Sequence, residues 1–351
     1  MFDMIRSKVN VGEYILFFGS FPYNFDTTLP FKMIDEVYLS YTPQTFLDNL
    51  EPKEQSSFLL PGYGLPGMGI VNSCLHYKPV SESLDFPVVQ EMFFNTVTSF
   101  RLIAPLHIHV SSSCTISSEK SVRNMNLYSM RSPYNPLANS FYTGVSLHLS
   151  KNVLNRIPQI RDLSPTKIFN AYRFFQHVTC GYGRSLQMVY LTLWSILEFI
   201  LQPSIGKHKN YAANIARRIG PFLDGFDNSS EVSELIVKDY KENRHKRIHG
   251  LTAITQNSMM KGYRGDDEIP SAAEAVIGIL HEVVRLSLLK LFSLPDELII
   301  EHSAIKSKNV DDWFEKIDER DNKYCLNMRS FTDKRTLMSE NIRKIGIEFS
   351  G

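Results

Sequence analysis

Cysteine is scarce in this chain. The four that occur, Cys74, Cys114, Cys180 and Cys325, are far apart and form no CxxC pair. That spacing argues against a zinc module and against a disulfide-stapled scaffold, and it fits a reducing compartment. An excess of charge of one sign is also missing: the net charge is +1. The molecule as a whole is not a polycation, so a nucleic-acid surface has to be a local patch. Long apolar runs are absent as well. The longest, residues 186–201, contains Gln187, Thr192, Ser195 and Glu198 and is short for a membrane span. It reads as the central helix of a bundle. The first residues, MFDMIRSKVNVGEY, have no apolar run of signal-peptide type. A cytoplasmic protein with no membrane association is expected. Low-complexity blocks are lacking too, and 43% hydrophobic with 21% charged residues is a globular composition.

Two familiar site signatures are incomplete. The stretch Pro61-Gly62-Tyr63-Gly64-Leu65-Pro66-Gly67-Met68-Gly69 has the glycines of a phosphate loop but not the Gly-Lys-Ser/Thr ending. Its prolines also remove backbone donors, so it reads as a turn-rich surface loop. His107 and His109 would share one face of a strand, but no third ligand lies near them. They read as structural histidines, and no metal ion or cofactor is expected. Phe17, Phe18, Phe21, Tyr23 and Phe25 read as core rather than as a base-stacking platform.

The 351 residues suffice for two domains. Residues 1–155 carry short β-type runs broken by Gly, Pro, Asn and Ser: Tyr14–Phe18, Val37–Tyr41, Leu106–Val110 and Val145–Leu149. The last two alternate as half-buried strands do. One helix is expected among them, with Pro87 as its first residue and Val89, Met92, Phe93, Val97, Phe100 and Ile103 at roughly helical spacing. The predicted fold class is therefore an α+β N-terminal domain rich in strands, followed by an all-α bundle over 156–295. Ser164-Pro165 opens a helix to about Val178. Further helices are expected over about 185–202, 208–220, 229–249 and 271–292, punctuated by Pro203, Pro221, Gly250 and Pro295. Residues 296–351 are polar and mixed, and read as a C-terminal extension.

Chemistry concentrates at the end of the fourth of these helices, in Arg244-His245-Lys246-Arg247-Ile248-His249-Gly250. Ile236, Tyr240, Arg244 and Ile248 step by four and form one slowly drifting column. An Arg that continues a semi-apolar column needs an anionic partner, either a carboxylate or a phosphate. Lys241, His245 and His249 stack beside it. Arg244 and His249 lie roughly 140° apart around an ideal helix. Bringing both to one phosphate takes a long Arg side chain or a second copy of the motif. An ordinary reading also fits: basic residues in a last turn offset the helix dipole, and Gly250 is a common C-cap.

The context adds a resemblance. An apolar helix ending Trp194-Ser195-Ile196-Leu197-Glu198-Phe199-Ile200-Leu201 precedes Tyr240-Lys241-Glu242-Asn243-Arg244-His245-Lys246-Arg247-Ile248-His249-Gly250. Over about residues 164–293 this resembles the HEPN superfamily, and within it the Apea-like HEPN branch. The resemblance implies a metal-independent endoribonuclease whose active site forms across a homodimer. Arg244 and His249 match the two functional residues, His245 the polar position after the Arg, and Glu198 a recurrent acidic position. A toxic effector in anti-phage defence is implied, with a phage-derived or antitoxin-type regulator as further partner and the N-terminal domain as sensor or restraint.

Residue types support the chemistry. An imidazole of ordinary pKa near ~6.5 suits His249 to general acid/base work. Arg244 can hold charge on a phosphorane, and Lys241, Lys246 and Arg247 can steer an RNA backbone. Two other readings stay open: a non-catalytic HEPN-like module for RNA binding, protein binding or dimerisation, and an interaction protein in which Arg244 simply pairs with Glu198.

Overall fold

In the computed structural model, the described residues are 8–9, 13–19, 24–41, 73–103, 110–116, 122–127, 144–180, 186–205, 210–223, 226, 229–244, 272–305 and 310–318. The chain divides into two compact units. One comprises Met1–Pro133 with Asn139–Asn155, the other Tyr134–Ala138 with Arg156–Gly351.

The first unit is built on an antiparallel sheet. Its strands are β1 (Tyr14–Gly19), β2 (Phe31–Ile34), β3 (Val37–Tyr41), β4 (Ser73–Tyr77), β5 (Val110–Ile116) and β6 (Val122–Leu127), in the spatial order β2-β3-β4-β1-β5-β6. The central place of β1 explains its unbroken apolar run: Ile15, Leu16 and Phe17 are all buried, so both faces are covered. Helix α1 (Phe86–Ile103) lays Phe93 flat on Phe17, ring centroids 3.9 Å apart. Its buried Val89, Phe93, Val97 and Phe100 keep the expected helical spacing. Between β3 and β4, Tyr38 pairs with His76 and Ser40 with Cys74. The Ser40 hydroxyl lies 2.8 Å from His76 Nδ1, and burial, with Lys78 nearby, pushes the His76 pKa down.

One expected strand is a helix. Gly144–Val145 form a short parallel pairing with Asn24–Phe25, but α2 (Leu147–Leu163) begins directly after. Ser146 makes the difference. Its hydroxyl accepts from the Leu149 amide at 3.2 Å, while Asp26 accepts from the Leu147 amide at 2.9 Å, so the first-turn donors are satisfied. Of the run Leu106–Val110, only Val110 lies among the described residues, as the first residue of β5. The loop at 61–69, His107 and His109 also lie outside them.

The second unit is helical: α3 (Ile168–Cys180), α4 (Leu186–Leu201), α5 (Tyr211–Arg218), α6 (Ser229–Asp239), α7 (Ala272–Ser293), α8 (Asp296–Ala304) and α9 (Val310–Asp318). Ser164 caps α3 by accepting from the Ile168 amide at 3.1 Å. Helix α7 is buried on all sides from Ile277 to Phe292, which makes it the core element. It carries a buried ion pair, Arg285 on Glu282 at 2.9 Å. Burial opposes ionisation of Glu282, but Arg285 and His281 outweigh it and hold the carboxyl at about 2.

Of the stretch read as a polar extension, residues 296–305 and 310–318 are among the described ones. Helices α8 and α9 belong to this unit and bury Leu298, Ile299, His302, Trp313, Phe314 and Ile317. Arg218 fastens α9. Fully buried, it donates to the Leu201 and Ile205 carbonyls at 3.1 and 2.7 Å and to Asp311 at 2.6 Å. No helix of the described residues is long and apolar enough to cross a membrane.

Candidate functional site

Helix α4 presents Tyr190, Trp194 and Glu198 four residues apart, so they form one column. Facing it is the end of α6, where the α-helix gives way to a π-helical turn, Tyr240–Arg244. Such one-turn π segments recur at functional sites.

The lower half of the contact is a buried carboxylate. Asp239 is 2% exposed. It accepts from the Tyr190 hydroxyl at 2.6 Å, from Trp194 Nε1 at 3.0 Å and from Asn243 Nδ2 at 3.1 Å. Hydrogen bonds to a charged acceptor contribute roughly 1.5–3 kcal/mol each, enough to make this an anchor. Asn243 lies inside the π turn, so the clip from Asp239 spans the transition and holds the turn up to Arg244.

The upper half carries the sequence-selected Arg. Tyr240 packs on Trp194, ring centroids 5.0 Å apart, and donates its hydroxyl to Glu198 Oε1 at 3.2 Å. Arg244 forms an ion pair with the same oxygen through Nη2. Its guanidinium lies over the Tyr240 ring, 5.2 Å from the centroid. Burial, and then the Glu198 charge, push the Tyr240 phenol up to about 12, so it remains a donor through the neutral range. The pair is not sealed: the Arg244 and Glu198 side chains are 24% and 28% exposed. Yet Arg244 Nε is buried and, among the described residues, has no hydrogen-bond acceptor. The guanidinium is therefore part-exposed, is paired through Nη2 with a Glu198 oxygen, and has one donor unmet among the described residues.

Of the residues selected from the sequence, Arg244 and Glu198 are brought together. The column Ile236, Tyr240, Arg244 grades from fully buried to part-exposed. Lys241 is exposed on the same turn. His245, Lys246, Arg247 and His249 lie outside the described residues. Among the described residues, no group of three or more His, Cys, Asp or Glu is placed to hold a metal ion.

The sequence reading missed Tyr190, Trp194, Asp239 and Asn243. The signal was an acid one turn past the buried Leu235 and Ile236, on the apolar face of α6. Such an acid needs donors, and Tyr190 and Trp194 are apolar side chains that carry them.

Beside Glu198, α4 offers an apolar outer face. Met188 is 51% exposed, and Leu191, Thr192, Ser195 and Phe199 are half-buried. Thr192 and Ser195 donate their hydroxyls back to the Met188 and Leu191 carbonyls, at 2.7 and 2.9 Å. That lowers the polar demand of the face toward any partner. Comparison of the chain with protein-family models, with curated proteins and with solved structures finds no match.

Proposed function

We propose that the helical unit is a HEPN-like, metal-independent endoribonuclease that works as a pair of identical chains. One observation carries the reading: Arg244 is delivered by an anchored π turn with its guanidinium about one-quarter exposed and its Nε without an acceptor among the described residues. A guanidinium so placed is suited to a phosphate oxygen. The next residues in the chain, through His249, supply an acid/base group in sequence.

In the proposed reaction a base takes the proton from an RNA 2′-hydroxyl. That oxygen attacks the adjacent phosphorus, the bond to the 5′-oxygen breaks, and the leaving oxygen takes a proton. His249 serves as the acid/base group, with His245 beside Arg244 as an assisting polar group. Arg244 stabilises the charge that grows on the phosphoryl oxygens. Lys241, Lys246 and Arg247 attract the backbone. The products are a 2′,3′-cyclic phosphate and a 5′-hydroxyl, and DNA, lacking the nucleophile, is not cut.

The apolar outer face of α4, next to Glu198, supports docking of a second copy close to Arg244. In this reading the enzyme is a cytoplasmic effector of anti-phage defence, under a phage-derived or antitoxin-type regulator. The test is incubation of purified protein with RNA in EDTA, with analysis of the RNA ends. Cyclic-phosphate ends that are lost in both Arg244→Ala and His249→Ala, with fold retained, support the reading.

A second reading rests on the Arg244–Glu198 pair itself. As a structural ion pair, it would belong to an interaction protein that does not cut RNA, with an activator supplied or not.

A further inference from the structure

We infer that Glu198 is a displaceable internal ligand of Arg244, holding the place that a phosphate takes and so setting the affinity of the site. The inference rests on the proposed role of Arg244 as a phosphate ligand. Its ground is the asymmetry of the pair. The ion pair runs from Glu198 Oε1 to Arg244 Nη2, and that oxygen also accepts from Tyr240. Nε is buried and, among the described residues, has no acceptor. A carboxylate placed only to fix the Arg would be expected to take two donors in a fork. Here one oxygen is shared between two donors, and Nε is left without an acceptor among the described residues.

The position also allows exchange. The Glu198 and Arg244 side chains are each about one-quarter exposed, where an ion pair is worth at most ~1 kcal/mol. A phosphate can therefore compete for the guanidinium. The Tyr240 ring continues to support it from below, and the Tyr240 hydroxyl gives Glu198 a hydrogen bond to retain after Arg244 is taken. The Asp239 anchor lies apart from the exchange, on Tyr190, Trp194 and Asn243. The turn need not move when the partner changes.

The experiment measures binding of a fluorescein-labelled, uncleavable 2′-O-methyl RNA of mixed sequence to the full chain. Glu198→Gln keeps the shape and the Tyr240 acceptor while removing the charge. It is expected to tighten binding roughly fivefold, the order of a part-exposed ion pair. Glu242→Gln is the control. It removes the same charge from an exposed position of the same turn and is expected to change binding less than about twofold, since exposed charges are screened. In Glu198→Gln/Arg244→Ala the gain disappears and binding equals that of Arg244→Ala. Thermal melting of each variant reports the fold.

A Glu198→Gln protein that melts like wild type but binds as before, or more weakly, overturns the inference; Glu198 would then orient Arg244. An equal gain in Glu242→Gln overturns it too. If Arg244→Ala binds the RNA as wild type does, it is the parent reading that fails.

Discussion

Asp239 and Glu198 are both carboxylates between the same two helices, and they do different work. Asp239 is sealed and carries three side-chain donors. Removing it would take an acceptor from the buried Tyr190 hydroxyl and from the buried Trp194 N–H. Glu198 is part-exposed and shares one oxygen between Tyr240 and Arg244. The first is an anchor, and the second can exchange partners. A buried histidine ties the fold to pH. The His302 ring nitrogen Nε2 lies 2.8 Å from the Ile200 carbonyl, its Nδ1 has no hydrogen-bond partner among the described residues, and its side chain is packed on Trp313. Burial pushes its pKa down from 6.5 to about 4. On acidification the unfolded chain takes up this proton first. Stability is therefore unaffected by His302 above pH 6.5 and falls as pH drops from there to about 4. The loss is on the order of 3 kcal/mol. Urea unfolding across this range should show a shallower acid slope in His302→Gln than in wild type. Equal slopes would mean that His302 does not titrate this way.

At the scale of elements, α9 is the sharpest case. Residues 296–318 look polar in sequence, yet Trp313 is fully buried and its Nε1 donates to the Leu298 carbonyl at 3.0 Å. Trp313→Ala should destabilise the helical unit by about 3–5 kcal/mol, read as a lowered denaturant midpoint. A change below about 1 kcal/mol would mean that α9 is a loose appendage after all.

The elements also differ in how far their sequence patterns carry. Val37–Tyr41 is a strand and residues 186–201 a helix, as their patterns suggest. The alternation Val145–Leu149 is misleading. It is too short to choose between periods, and the deciding contacts come from Asp26, distant in sequence. The polar surface of α9 hides a buried stripe of Val310, Trp313, Phe314 and Ile317 at helical spacing. In the candidate site, Arg244 and Glu198 are legible as chemistry. The π turn is not, since it depends on tertiary anchoring of Asp239 rather than on any local residue signal.

At the scale of the whole molecule, a net charge of +1 leaves no general attraction for nucleic acid. In the proposed function, RNA binding would come from the basic residues around Arg244 and from a second copy that doubles them. The proposed surface for that copy is the outer face of α4 around Met188. Wild type is expected to run as a dimer in light scattering. Met188→Glu should yield a folded monomer that has lost RNA cleavage. A wild-type monomer that cuts RNA would remove the need for the pair.

Arg244 and the histidine five positions on, His249, stand at the centre of the proposed function. The most direct test is identification of RNA ends after incubation with the full-length protein in excess EDTA. Wild type is expected to give 2′,3′-cyclic phosphate and 5′-hydroxyl ends, with a drop of at least about a hundredfold in Arg244→Ala and in His249→Ala, each melting like wild type. Undiminished cleavage in either folded variant, or cleavage that EDTA abolishes, would contradict it.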